Sequence, residues 1–435
     1  VHLMQDDVMH IDRDTQRTSE TAPAETSPRV AVIGFGARAA IAEHVASARP
    51  GARVVAVVEP DDAGRDRARR AYPDAALHFD VDSLIAGGGI DAALVTTPDH
   101  THEEIALKLL AAGIAAYLEK PLAITLEGAD RVLAAAAETG TLLYVGHNFR
   151  HSGVVRAMRG VISRGEIGEV KAVWVRHFVG NGGDYYYKDW HADRSKTGTL
   201  LLQKASHDLD VIHYLASGYT RRVVGMGELM VYGGITDRRS RHGETMPDWF
   251  SYENWPPEKQ TGLNPVVDVE DVSMMLMTLD NGVMASYQQC HFTPDYWRNY
   301  TVIGTEGRLE NHGDTAGGVI KVWNRRHEWQ GAGDVEYPID GAASGHEDAD
   351  LLTMTEFFDT LLDGTPTLVS PVAAREAVAA GYLAAESLRS GSQPLDVPAL
   401  PEHIVGHFSR PSSPADPPPP AFTHTSQSTL GRTFR

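Results

Sequence analysis

Short apolar runs alternate with longer amphipathic stretches over the first third of the chain. The runs Val30–Ile33, Arg53–Val58, Ile90–Thr96, Ile114–Leu118 and Thr141–Val145 are rich in β-branched and aliphatic residues. Their length suits buried strands rather than helices. Between them, Ala39–Ala48, Ala63–Tyr72, Asp80–Ala86, His102–Ala112 and Leu126–Glu138 carry helical spacing. This alternation predicts an α/β, doubly wound parallel sheet over residues 29–150, with its ligand at the C-terminal ends of the strands.

The pattern changes after residue 150. A helix at Val154–Arg164 and a strand at Glu169–Phe178 precede a polar and aromatic loop, 181–198, and a helix at Leu200–Leu215. Val272–Leu279 and Val283–Cys290 flank Asp280-Asn281-Gly282, the signature of a hairpin with a type I′ turn. Further strands at Arg298–Gly304 and Gly307–Asn311, then helices at Leu351–Leu362 and Val372–Ser390, predict an α+β domain over residues 151–395. Residues 232–265 read as a long surface loop or insertion. Residues 1–28 read as a flexible leader and 396–435 as a Pro-rich tail.

Composition narrows the function classes. At 435 residues the chain can hold two cores, and its net charge of −19 argues against nucleic acid or an anionic membrane as partner. No apolar run is long enough to span a bilayer, and the acidic N-terminus has no signal-peptide pattern. A lone cysteine, Cys290, excludes an intrachain disulfide and reads as a buried, inert thiol. These features predict a cytoplasmic protein. Gly345-His346-Glu347-Asp348-Ala349-Asp350 reads as a helix cap, and no ligand spacing points to a metal.

The first strand runs into Gly34-Phe35-Gly36-Ala37-Arg38-Ala39. Gly34 permits a tight turn, Gly36 lets the backbone approach a pyrophosphate, and Ala39 lets helix and strand pack closely. Glu59 ends the second strand, 25 residues after Gly34, where a carboxylate accepts from ribose hydroxyls and repels a 2′-phosphate. The predicted cofactor is NAD. Thr97-Pro98, Glu119-Lys120-Pro121 and His147-Asn148-Phe149-Arg150 fall at other strand ends on the same predicted edge. In the second domain, Gln203, Lys204 and His207 fit one face of a helix. In the 181–198 loop, Tyr186, Trp190 and His191 offer stacking faces, and Lys188, Arg194 and Lys196 offer positive charge for an anionic ligand.

With these motifs in place, the sequence resembles the Gfo/Idh/MocA oxidoreductase family over roughly residues 29–395. The patches are Gly34–Ala39, Thr97–His102, Glu119–Pro121, Lys204–Asp210 and Ile303–Gly307. The resemblance implies a Rossmann domain followed by a domain with an open, mostly antiparallel sheet, whose open face commonly forms a homo-oligomer interface. It implies a nicotinamide cofactor and a small-molecule sugar or glycoside substrate. It places Lys120 near the reacting hydroxyl, Glu119 at the ribose, Pro121 in a cis peptide, His102 near the nicotinamide and His207 on the hydroxyl. Thr97, Pro98 and Asn148 join the cofactor site, and Arg150 joins the substrate site.

One departure stands out. Gln203 occupies the position four residues before the helix histidine where many family dehydrogenases carry a carboxylate, and glutamine cannot take a proton. Proton transfer then falls on Lys120, Lys204 or His207. The Lys-x-x-His variant resembles the glycoside-active branch. Two readings follow: a dehydrogenase acting on a ring carbinol such as C3, and a glycosidase that uses NAD catalytically, on a plausible anionic (sulfonated or uronic) glycoside. A non-catalytic NAD sensor is a third.

Overall fold

A computed structural model describes residues 27–341 and 347–409 of the chain. Six parallel strands form the first sheet: β1 (Arg29–Ile33), β2 (Arg53–Val58), β3 (Ala76–His78), β4 (Ala92–Val95), β5 (Ala115–Glu119) and β6 (Leu143–Gly146). Their order is β3-β2-β1-β4-β5-β6, so the chain reverses direction between β1 and β4. Ile33 lies opposite both Val58 and Val95, which sets Gly34, Glu59 and Thr96 along one edge. Val30, Val32 and Leu94 are fully buried because helices cover both faces. The short edge strand β3 has too few apolar residues to show in the hydrophobic pattern. The stretch expected as one helix over 39–48 is a 3₁₀ segment, Ala37–His44, followed by one α turn, Val45–Ala48.

The second sheet has nine strands: β7 (Val170–Val179), β8 (Thr220–Glu228), β9 (Val272–Leu279), β10 (Met284–Cys290), β11 (Tyr296–Gly304), β12 (Arg308–His312), β13 (Val319–Trp323), β14 (Val335–Pro338) and β15 (Leu395–Asp396). The order is β14-β13-β12-β11-β7-β10-β9-β8-β15, and the one parallel pair is β7 with β10. Strand alternation explains its two faces: Met275 and Met277 point into the core, Met274 and Leu276 outward. The inner face packs on helices Ser206–Ala216 and Pro371–Arg389. The other face exposes Trp174, Leu276 and Met284.

Three sequence expectations need correction. The β9–β10 hairpin is not type I′, because only Gly282 has positive φ (83°) and Asn281 does not. Residues 280–282 instead form a three-residue loop, closed by the Leu279 N–H to the Val283 carbonyl at 2.9 Å. The predicted tail contains a helix, Glu402–Phe408, whose Ile404 is buried in the first domain's core beside Leu126–Thr139. The helix Glu347–Asp363, assigned to the second domain, sends Met354, Phe357 and Phe358 against Tyr117 and Tyr144 of the parallel sheet. The predicted leader to residue 26, His346 and the chain beyond 409 lie outside the described residues. Among the described residues, no helix is long and apolar enough to cross a membrane, and no metal-ligating cluster occurs.

Candidate active site

The Gly34–Ala39 turn is built for a dinucleotide. Gly34 has φ +86°, and a Cβ there would stand 2.7 Å from Thr97 Cγ2. Only glycine fits. A Cβ on Gly36 would meet no atom within 4 Å, so open space lies in front of the first N–H groups of the following helix. Glu59 is buried at the end of β2, its carboxylate accepting the N–H groups of Phe35 at 2.6 Å and Asp61 at 2.9 Å. The turn, the open space and the fixed carboxylate together fit NAD.

Two cofactor-side expectations change. Arg38 does not extend toward a phosphate: its guanidinium donates to Glu119 at 2.6 Å and to both oxygens of Asp350 at 2.6 and 2.9 Å. Asn148 also donates to Asp350, at 2.6 Å. Asp350, read from sequence as part of a cap, thus ties the helix Glu347–Asp363 to the cofactor edge. His102 is fully buried, with Nδ1 2.7 Å from the Pro121 carbonyl and Nε2 3.0 Å from the Thr97 carbonyl. Burial lowers its pKa to about 4 against the pull of those carbonyls. It latches two strand ends together.

Lys120 follows β5 at the cleft between the domains, and its bond to Pro121 is cis as the resemblance implied. Its Nζ donates to the Gln203 carbonyl at 2.9 Å. Burial, aided by the nearby Lys204 charge, lowers its pKa to about 8 although Asp99 and Glu119 oppose this. Asp99 is also buried, with Oδ2 unpartnered, and burial raises its pKa to about 7 while Lys120 pulls it down. Amine and carboxyl therefore change charge within a narrow span of each other.

The helix expected over Leu200–Leu215 is broken. One turn, Leu200–Gln203, ends at Lys204-Ala205, and a second helix runs Ser206–Ala216. The break turns Lys204 toward β11, where its Nζ donates to the Tyr296 hydroxyl at 2.8 Å. Gln203 Oε1 is buried without a partner. His207 sits in the first turn of the second helix, its ring 6.3 Å from that of His147 and 6.0 Å from Phe149. His147, at the end of β6, is buried with both ring nitrogens unpartnered, and burial lowers its pKa to about 4. The structure thus gathers Lys120, Gln203, Lys204 and His207 and adds Asp99, His147 and Tyr296.

The 181–198 segment is not an open loop but short helices, Gly182–Tyr186 and Arg194–Thr197, around a 3₁₀ turn. Tyr186 lies between the rings of His191 and His291 at 5.3 and 5.1 Å, and Trp190 stacks on His191 at 3.7 Å. Its positive charges are already paired. Lys188 meets Asp184 at 2.7 Å, Lys196 lies 4.0 Å from Asp193, and Arg194 meets the Asp268 carbonyl at 2.6 Å and Glu270 at 3.4 Å. Lys188 is therefore committed to Asp184, while Arg194 and Lys196 keep more than 40% of their side-chain surface exposed beside their partners. Arg150 leaves the substrate list: it holds Asp210 with two 2.7 Å bonds and donates to the Leu368 carbonyl. Asp184 also accepts from Asn254 and Gln260, which pins the 232–265 insertion to this segment. At its other end the insertion touches the first domain, where Arg67 donates to the Gly243 carbonyl at 3.2 Å and His242 lies 3.2 Å from Asp61.

Residues 28–147 match the oxidoreductase family's NAD-binding Rossmann fold, and residues 155–310 match the Gfo/Idh/MocA C-terminal domain. The chain belongs to the Gfo/Idh/MocA family. It is 27% identical over 241 residues to 2,7-anhydro-N-acetylneuraminate hydratase of Mediterraneibacter gnavus, covering 52% of this chain and 62% of that protein. It is 35% identical over 199 residues to inositol 2-dehydrogenase of Burkholderia multivorans, covering 45% of this chain and 53% of that protein. The matches thus span about half to three-fifths of these relatives' lengths. The levoglucosan dehydrogenase complex with NADH and L-sorbose has the same fold, at a TM-score of 0.70 and 20% identity over 87% of this chain and all of that one.

Set within this Gfo/Idh/MocA frame, the residues to which sequence reading gave no role in the site are Asp99, His147, His177, Asp208, Tyr296 and Arg298. Asp208 is fully buried, 3.0 Å from Arg298, 3.1 Å from His177 and hydrogen-bonded to Tyr287 and Tyr300. Its partners come from β7, β10 and β11, too far along the chain for spacing to reveal. His147 had a usable signal, since it stands directly after a strand on the ligand-facing edge.

Proposed function

We propose that the protein is an NAD-dependent carbohydrate enzyme that moves hydride between a sugar-ring carbinol, C3 in our reading, and nicotinamide. The observation that carries this is Lys120, half-buried at the cleft with Nζ on the Gln203 carbonyl and a pKa of about 8. A general base works best when its pKa lies near the operating pH. NAD, when bound, supplies the hydride acceptor. Lys120 takes the hydroxyl proton, His207 orients the hydroxyl, and Asp99 offers a relay for the proton. Gln203 holds a neighbouring hydroxyl by hydrogen bonding alone.

A second reading, redox-neutral cleavage of a glycoside with retained NAD, is favoured by the Lys204–Tyr296 pair and by the relative named a hydratase. In that sequence the carbonyl acidifies the neighbouring C–H, elimination expels the aglycone, water adds, and the carbonyl is reduced again. The experiment is product analysis in heavy water with catalytic NAD and neutral, uronic and sulfonated glycosides. Oxidised product formed in step with NADH supports the dehydrogenase. Free sugar deuterated at C2, without net NADH, supports the glycosidase. No product and no NADH with any sugar leaves a sensor as the better reading. We also assign the exposed sheet face around Trp174, Leu276 and Met284 to a homo-oligomer, because Trp174 and Leu276 flank Ser286 on adjacent strands with Met284 two residues away, and contiguous exposed apolar patches mark interfaces. Leu276→Lys should reduce the mass measured by light scattering, and an unchanged mass would remove the assignment.

A further inference from the structure

Behind the lysine that serves the hydroxyl stands a second group with the makings of a proton acceptor. Tyr296 opens β11, its backbone opposite Val179 at the end of β7. Its phenol oxygen accepts from Lys204 Nζ at 2.8 Å, and the same ammonium lies 5.2 Å from the Tyr296 ring and 5.5 Å from the Tyr186 ring. The Arg298 guanidinium lies 5.8 Å from the Tyr296 ring, and His177 meets that ring edge-on at 5.5 Å. Lys204 is 7% exposed and Arg298 3%, whereas Tyr296 is 41% exposed. Two buried cations thus lie against the phenol of a residue that is itself partly exposed.

We propose that Tyr296, held by Lys204, is the second proton acceptor of this site, taking a carbon-bound proton next to the ring carbonyl. This rests on the hydride-transfer reading above, which supplies that carbonyl: the carbinol loses hydride to NAD and its hydroxyl proton to Lys120. The adjacent C–H bond then breaks, the proton passes to the Tyr296 oxygen, and the electron pair becomes an enolate. Where the next carbon bears an alkoxy group, that C–O bond breaks as the C=C bond forms, and the leaving oxygen takes a proton from solvent. Water addition and proton return from Tyr296 reverse the chemistry.

The surroundings agree. Burial pushes the Tyr296 hydroxyl up, but Arg298 and Lys204 outweigh it and hold the phenol below its ordinary value, with Asp314 opposing them. Burial acts the other way on Lys204, yet Tyr186 and Tyr296 keep the amine charged well above its usual range. Lys204 is therefore not the base. Nor is Tyr186, whose hydroxyl is pushed up by burial despite the same lysine. Asp208 and His177 complete the facing groups, but Asp208 is committed to Arg298.

The test is an ultraviolet titration of tyrosinate on the full chain without substrate, for the parent protein and for Tyr296→Phe, Tyr186→Phe and Lys204→Met. One tyrosine should ionise below the others, be lost in Tyr296→Phe, persist in Tyr186→Phe and move up in Lys204→Met. A low step that survives in Tyr296→Phe overturns the proposal, and Lys204→Met tests it even if Tyr296→Phe does not fold. The second measurement is deuterium wash-in from heavy water into methyl glycosides with NAD present. Tyr296→Phe should slow wash-in by about 100-fold or more while single-turnover NADH formation persists. NADH without wash-in in the parent protein refutes the Tyr296 role and leaves the hydride reading standing. Absence of NADH refutes the hydride reading, and the titration then decides the phenol by itself.

Discussion

Of the two lysines of the cleft one is half-buried and the other buried, and their surroundings drive them in opposite directions. Lys120 rests on a backbone carbonyl, and burial together with the Lys204 charge brings its pKa down to about 8. Lys204 rests on a phenol and near a second, and they hold its charge in place. Burial alone cannot separate the two, since it lowers both amines. The partner decides. A dipole leaves the Lys120 proton mobile, whereas two ionisable phenols retain the proton on Lys204 and hand the titration to Tyr296.

The widest break in this comparison should come from Lys120→Met. Turnover should fall about 1000-fold with NAD affinity unchanged, measured by steady-state rates and cofactor fluorescence. A large loss of NAD affinity would make Lys120 a cofactor ligand first. Next in size, Asp208→Asn should cost about 3–5 kcal/mol in denaturant unfolding, because it strands Arg298 in the interior. Burial pushes the Asp208 carboxyl up, but Arg298 and His177 outweigh it and hold it well below the usual range. Its folded pKa is depressed, so its contribution to stability is present above the unfolded value of about 4 and is lost as pH falls below it. A midpoint unchanged between neutral and acidic pH would contradict that pairing.

Glu59→Ala should weaken NAD by about 10-fold and leave NADP binding equal or better, read by paired titrations. Equal losses for both cofactors would end the ribose assignment. The pH–rate profile sharpens the contrast further: turnover should rise through about pH 8 as Lys120 loses its proton. In Lys204→Met that limb should move up, because a neighbouring positive charge has been removed. The smallest effect belongs to Arg194→Ala. With its guanidinium held by Asp268 and Glu270, anionic and neutral glycosides should be affected equally in kcat/KM. A selective loss for the anion would support the charge reading of that segment.

Much of the first domain was legible because its signals are local. A β-branched run, a Gly-x-Gly turn and a carboxylate at the next strand end need only short-range chemistry, and Gly34, Gly36 and Glu59 follow from it, whereas the role of Lys120 came with the family resemblance. The second domain was readable where strands alternate, as in β9 and β10, and opaque where long-range partners decide. Nothing near Arg38 in sequence announces Asp350, and nothing near Arg194 announces Asp268 and Glu270. Helical spacing put Gln203, Lys204 and His207 on one face, but it could not show the interruption at Lys204-Ala205 or the contact of Lys204 with Tyr296.

The 232–265 insertion joins two places that sequence reading treats as separate. One end is pinned through Asp184 to the short helix carrying Tyr186, and the other rests on Arg67 and Asp61 beside Glu59. One segment therefore ties the edge that carries Glu59 to the helix that carries Tyr186.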